Sequence, residues 1–295
     1  MSPRRLDSRA SWTAQVCATQ RAAETMQPVG RRRLDDPYSR SFVQHPVLRA
    51  ALWHPLAARA FIAVLDLQMP DVHAFVVLRV RYVDDIVRAA LEDGIDQIVL
   101  LGSGFDTTSV RCGDARVTVF EIDAPTTLTA KRDLDATNPR PQKAAEVVWV
   151  PCDFEYDRLS TLLLESGYDR TRPSVVVWMG VTMFLTHETI SSTLADLSGL
   201  CAPQSRLIFD YVDPDVITGE SRWPGARRVA RAVTRRGEPY RTGLTSADAE
   251  QLIAGVGFTA DQHLRTPALE QRYAPSQGGS RGRSDWLAVC AATRV

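Results

Sequence analysis

Gly102 and Gly104 follow the apolar run 97–101, and Asp123 ends a second apolar run, Val117-Thr118-Val119-Phe120-Glu121-Ile122-Asp123, about half a βαβ unit later. Both runs are too short for a buried helix and read as strands. A Gly-x-Gly turn after a strand lets the backbone come close to a ligand, and a carboxylate at the tip of the next strand accepts hydrogen bonds from a ribose diol. Glu121 and Asp123 both suit that task. A nicotinamide dinucleotide wants a third glycine where the helix opens, so that its pyrophosphate can rest on the helix N-terminus. Thr107 or Thr108 stands there instead. The pattern implies no pyrophosphate and fits S-adenosylmethionine, a nucleoside with an amino-acid tail.

Composition narrows the remaining classes. Thirty-five basic residues balance thirty-five acidic ones, so no whole-chain field draws the protein to nucleic acid or to an anionic membrane, and neither is expected as a partner. The five cysteines (17, 112, 152, 201, 290) form no Cys-x-x-Cys pair and the five histidines no His-Glu-x-x-His spacing, so no metal site is expected. The sequence has no apolar run of membrane-spanning length, and MSPRRLDSRASW lacks the apolar centre of a signal peptide. A cytosolic protein with reduced thiols is the expectation. Nothing in the sequence sets its oligomeric state.

The elements that must position the glycine turn and the acids can be read outward from them. Order is expected from about Ser11, with helices over 11–26, 41–60 and 72–93 forming a helical preface up to about residue 70 and the entry to the main domain, 71–295. From residue 97 onward strands (97–102, 117–122, 146–150, 174–179, 205–212, 285–293) alternate with helices (124–136, 155–166, 187–201, 245–255), the pattern of a mostly parallel sheet covered on both faces. Thr186 and Thr245 read as N-caps, the latter with Asp248 three residues on. The pattern breaks at 213–243, an arginine-rich insertion that could form a lid, and 278–282 (Gly-Gly-Ser-Arg-Gly) reads as a flexible loop.

Six segments in order, LDDPYSRSFV (34–43), RVRYVDD (79–85), QIVLLGSGFDTTSVR (97–111), VFEIDAPTTLTAKRDL (119–134), VPCDFEY (150–156) and VWMGVTMFLTHETI (177–190), resemble the leucine carboxyl methyltransferase family. That family includes protein-phosphatase carboxyl methyltransferases and bacterial enzymes that methylate carboxylates of polyketides or other small molecules. The resemblance implies an α/β, Rossmann-like class I methyltransferase with seven strands, the last antiparallel. It also implies residue roles. Arg79 would pair with the cofactor carboxylate, with Arg81 as the fallback. Gly102 would lie under the methionine part, with Ser103 and Gly104 beside it. Asp106 would bond either its own turn or the cofactor amine. Of the two strand-tip acids the family alignment favours Asp123 for the ribose. Asp153 would take the adenine amino group and Phe154 cover the ring. The family commonly reads Glu-Gly-x-x-x-Tyr-Leu after the fourth strand, where this chain has Met179-Gly180-Val181-Thr182-Met183-Phe184-Leu185. A glutamate near the cofactor amine has become Met179, and Phe184 lacks a hydroxyl that could meet a substrate.

Methyl transfer from a sulfonium needs an acceptor atom held in line with the S–CH3 bond and water kept out. A carboxylate acceptor is already ionised near neutral pH and needs no base, so no catalytic residue is assigned. A phenol would want one, for which His73, His187, His263 and Tyr211 are the loose candidates. Phe184, Tyr211, Trp223 and Tyr240 are candidate acceptor contacts. The expected activity is carboxyl O-methylation of a small natural-product acid, with S-adenosylhomocysteine as the other product. The alternatives are O-methylation of a phenol or C-methylation of an aromatic scaffold, and a catalytically silent cofactor-binding module.

Overall fold

The computed structural model describes residues 11–112, 114–141, 144–273 and 285–295. The expected 278–282 loop lies outside the described residues. Seven strands form one sheet in the order β3-β2-β1-β4-β5-β7-β6: β1 (Gln97–Leu101), β2 (Thr118–Asp123), β3 (Glu146–Pro151), β4 (Ser174–Trp178), β5 (Arg206–Val212), β6 (Phe258–Arg265) and β7 (Leu287–Arg294). Only β7 runs against its neighbours, β5 and β6. Every residue of β1 and β4 is buried, as expected for central parallel strands covered on both faces. The strand order reverses between β1 and β4, and the crevice outside the carboxyl ends of those strands is where such sheets hold ligands.

The chain enters through α1 (Trp12–Thr25), α2 (Pro46–Ala51) and α3 (Pro55–Gln68), then α4 (Val72–Glu92) leads into β1. One helix expected over 41–60 is three pieces: a 3₁₀ turn at Ser39–Phe42, α2 and α3. The breaks follow from Pro46 and Pro55. Each stands at the first position of its helix and forces the residue before it, His45 or His54, into extended backbone. Around α1 lies a small core of Ala18, Ala22, Phe42, Leu48 and Leu52. Phe105 of the glycine turn is part of it and stacks on Phe42 at 5.7 Å.

After β1 come α5 (Thr108–Arg111), α6 (Pro125–Ala136), α7 (Leu159–Glu165) and α8 (His187–Leu200), then α9 (Pro214–Thr218), α10 (Pro224–Arg235), α11 (Ser246–Ala254) and α12 (Thr266–Tyr273). Thr186 and Thr245 cap their helices as expected, the second in a full capping box with Asp248. The 213–243 segment is ordered into α9 and α10, each opened by a proline, and α10 turns Ala226 and Val229 inward while its arginines face out. β6 went unread in the sequence because its residues, FTADQHLR, are largely polar. It is an edge strand with only Phe258 and Leu264 buried. Among the described residues no single helix is long and apolar enough to cross a membrane.

Candidate functional site

A cavity of about 1050 Å³ opens at the carboxyl ends of β1, β2 and β4. One half is built by strand-end loops: Gly102–Asp106, Asp123–Thr126, Cys152–Glu155 and Met179–Leu185. The other half comes from helices, with Phe61 and Leu65 of α3, Phe75 and Val76 of α4, and Val229 and Val233 of α10 giving it an apolar wall.

The glycine turn has the geometry that its residue types require. Gly102 and Gly104 have φ of +62° and +47°, and a Cβ on Gly102 would collide with the Val181 side chain. The Asp123 carboxylate accepts from Gly104 N at 2.6 Å and from Ala124 N at 2.7 Å, so it ties the two loops together. Burial pushes its pKa up to about 6 against the pull of those two N–H groups. Ser103 N bonds Ile122 O at 2.9 Å, and Ser103 Oγ is buried in the cavity wall with no partner among the described residues.

Arg79 reaches the cavity from α4. Its Nη1 pairs with Asp210 Oδ2, and the other carboxylate oxygen accepts from Gly180 N at 2.6 Å. Cys17 Sγ lies 3.9 Å from Nη2 and the Phe75 ring below, while Nε has no partner among the described residues. Burial works against the charge and Asp210 outweighs it, holding the guanidinium protonated. Asp210 was missed in the sequence, although an acid inside the apolar run LIFDYV was a legible signal.

The other expected residues divide. Asp153, Phe154, Met179, Phe184 and Tyr240 line the cavity, and the Phe184 and Tyr240 rings meet at 5.1 Å. Asp106 also lines it, but its carboxylate caps its own turn by accepting from Thr108 N at 2.6 Å. Although burial opposes it, Arg111 and Arg21 hold that carboxyl at about 2.

Four expectations need correction. Glu121 is fully buried away from the cavity, paired with Lys131 and accepting from Ser109 Oγ at 2.9 Å. Arg81 donates to Arg33 O and covers the Tyr273 ring. Tyr211 lies in the core on the other face of the sheet, its hydroxyl 3.0 Å from both Ser246 Oγ and His263 Nδ1. Trp223 packs against the core at the start of α10 under Arg222. The loose base candidates fall with them: no histidine is among the described lining residues, and His73 is bonded to Glu24 at 2.9 Å.

Asp36, Asp84 and Thr107, which do not line the cavity, hold the glycine turn from behind together with Arg21 and Arg111, which do. Asp36, fully buried, accepts from Arg21 Nε at 2.8 Å and Thr107 Oγ1 at 2.7 Å and sits 3.5 Å from Arg111 Nη1. Arg111 Nη2 pairs in turn with Asp84 of α4 at 2.8 Å, and Arg21 also donates to Phe105 O. The segments around 36 and 84 thus form one ionic frame under α1, α4 and α5.

The sequence model of the family described as leucine carboxyl methyltransferase matches residues 14–198, well over half of the chain. The chain belongs to that family. A relative from Mycobacterium avium (strain 104), provisionally named an S-adenosyl-L-methionine-dependent methyltransferase, is 31% identical over 92% of this chain and 94% of its own. Another of the same provisional name, from Mycolicibacterium smegmatis (strain ATCC 700084 / mc(2)155), is 30% identical over 90% and 85%. A crystal structure of a provisionally assigned methyltransferase from Thermobifida fusca YX shares the fold, with a TM-score of 0.57 and 16% identity over 93% of this chain and 94% of that one. The protein is therefore a methyltransferase dependent on S-adenosyl-L-methionine. Its cavity suits that cofactor: glycines clear space at the strand end, and Ser103 Oγ and Arg79 Nε are buried polar atoms without partners among the described residues.

Proposed function

We propose that this family member methylates the carboxylate of a small, largely apolar acid of the natural-product type. The observation that carries the reading is the cavity's acceptor half, which joins an apolar wall to the exposed Arg236 at its rim and has no histidine among its described lining residues. An anionic acceptor is drawn to the arginine, which stacks 4.0 Å over Trp12, and its apolar body is desolvated against α3, α4 and α10. A carboxylate arrives ionised, so the protein's task is to align the oxygen and exclude water.

In this reading Asp123 accepts the ribose hydroxyls. Asp153 takes the adenine amino group while Phe154 covers the ring, and Gly102, Ser103 and Gly104 make room for the thioether end. Arg79 meets the amino-acid carboxylate with the part of its fork that Asp210 leaves open. Met179 packs where an acid would face the cofactor amine. Bound there, the cofactor supplies an electrophilic methyl group.

The test is a panel of aliphatic and aromatic acids beside matched phenols, with S-adenosylmethionine as donor. The expected product is a methyl ester, which mild alkali hydrolyses to methanol, and the rate on acids stays flat from neutral to mildly alkaline pH. An alkali-stable ether formed at a rate that climbs with pH would overturn the carboxylate assignment in favour of a phenol. Saturable cofactor binding with no turnover on any acceptor would favour a silent binding module.

A further inference from the structure

The outer face of α3 carries an apolar stripe with nothing packed on it among the described residues. Leu56, Ala60, Ala63, Val64 and Leu67 succeed one another at steps of one to four residues on that face, and all are exposed, Leu56 at 63% and Leu67 at 78%. Val47 and Trp53, at 69% and 74%, extend the patch onto and beyond α2. Single exposed apolar residues are ordinary, but a contiguous stripe of this length marks a contact.

The helix carries only two charged residues, Arg59 and Asp66, and they are of opposite sign. Seven residues apart, they lie on one flank of the stripe. Arg59 is exposed; Asp66 is exposed on its outer side while burial against its own chain raises its carboxyl pKa, with His73 and Arg33 drawing the other way, and no ion pair within the described residues holds either. A neutral flank offers little to an anionic bilayer, whereas a second copy of the same helix, turned end for end, meets it with complementary charge.

We propose that α3 pairs antiparallel with α3 of a second copy of this chain about a two-fold axis near residues 61 and 62. Residues whose numbers add to a constant then face each other. Leu56 meets Leu67 of the second copy, Ala60 meets its Ala63, and Arg59 lies beside its Asp66, each contact occurring twice. The two alanines at the crossing let the helices approach closely while the leucines fill both ends. Since Phe61 and Leu65 on the inner face of α3 line the cavity, the pairing braces one wall of the site.

The test is light scattering on the full-length chain at tens of micromolar. A dimer is expected for the parent. Arg59→Asp alone and Asp66→Arg alone each place like charges together twice and raise the dimer dissociation constant on the order of tenfold or more, while the combined exchange returns it toward the parent value. Both positions altered are exposed ones in a preformed helix, and matching circular dichroism melts establish that the monomer fold persists. A monomeric parent, a dimer indifferent to the single reversals, failure of the combined exchange to restore pairing, or binding of a monomeric parent to phosphatidylglycerol vesicles would overturn the proposal.

Discussion

Asp123 sets how the site responds to acid. Its carboxyl titrates at about 6, above the ordinary 3.8, because burial disfavours the charge more than the Gly104 and Ala124 N–H groups favour it. Folded, it holds its proton more readily than unfolded, so between those values acidification adds stability to the unliganded fold through this group. In the proposed binding mode cofactor affinity runs the other way, since only the ionised form would accept freely from both ribose hydroxyls. We expect S-adenosylhomocysteine affinity, measured calorimetrically, to fall toward tenfold per pH unit below about 6, and Asp123→Asn to be weaker and flat across that window. Asp210 supplies a second prediction. Asp210→Asn loosens the Arg79 fork, so affinity for S-adenosylhomocysteine drops about tenfold or more while that for 5′-methylthioadenosine, which lacks the amino-acid end, changes little. A purely structural role for the pair would weaken both nucleosides alike.

At the scale of elements, the ionic frame under the glycine turn makes the helical preface part of the site's foundation. Asp36→Ala leaves the buried Arg21 guanidinium without its carboxylate and Arg111 with Asp84 alone, and we expect a loss of about 3–5 kcal/mol in urea unfolding. Much of the sheet was legible because the apolar runs of β1, β2, β4, β5 and β7 alternate with helical spacing. β6 was not, since an edge strand needs few buried side chains. Site residues were legible to the extent that depth and parity could be guessed. Glu121 and Asp123 share one side of β2, but Glu121 lies two residues further in, on the order of 7 Å below the tip, where Lys131 of α6 closes over it. Tyr211 was chosen and its neighbour Asp210 was not. Adjacent residues of a strand point to opposite faces, and β5 turns Asp210 toward Arg79 and Tyr211 toward His263. Which face carries the cavity depends on α4 and α10, elements distant in sequence.

For the molecule as a whole, one cavity must hold both reactants, and its volume of about 1050 Å³ is at the upper end for a single ligand. Filling the helical half should therefore separate the two. Val233→Trp is expected to cut kcat/KM for bulky acids about tenfold or more while leaving S-adenosylhomocysteine affinity within about twofold, read by steady-state kinetics beside calorimetry.

Cys17 projects from α1 into that shared chamber beside the Arg79 guanidinium; Cys152 is buried in the chamber wall, Cys201 and Cys290 are buried away from it, and half-buried Cys112 does not line it. A small alkylating reagent that enters the chamber meets this sulfur, so a bound reactant stands in its way. With Cys112 replaced, the protein thus carries its own occupancy gauge, one that reads the filling of the chamber without any acceptor having been found.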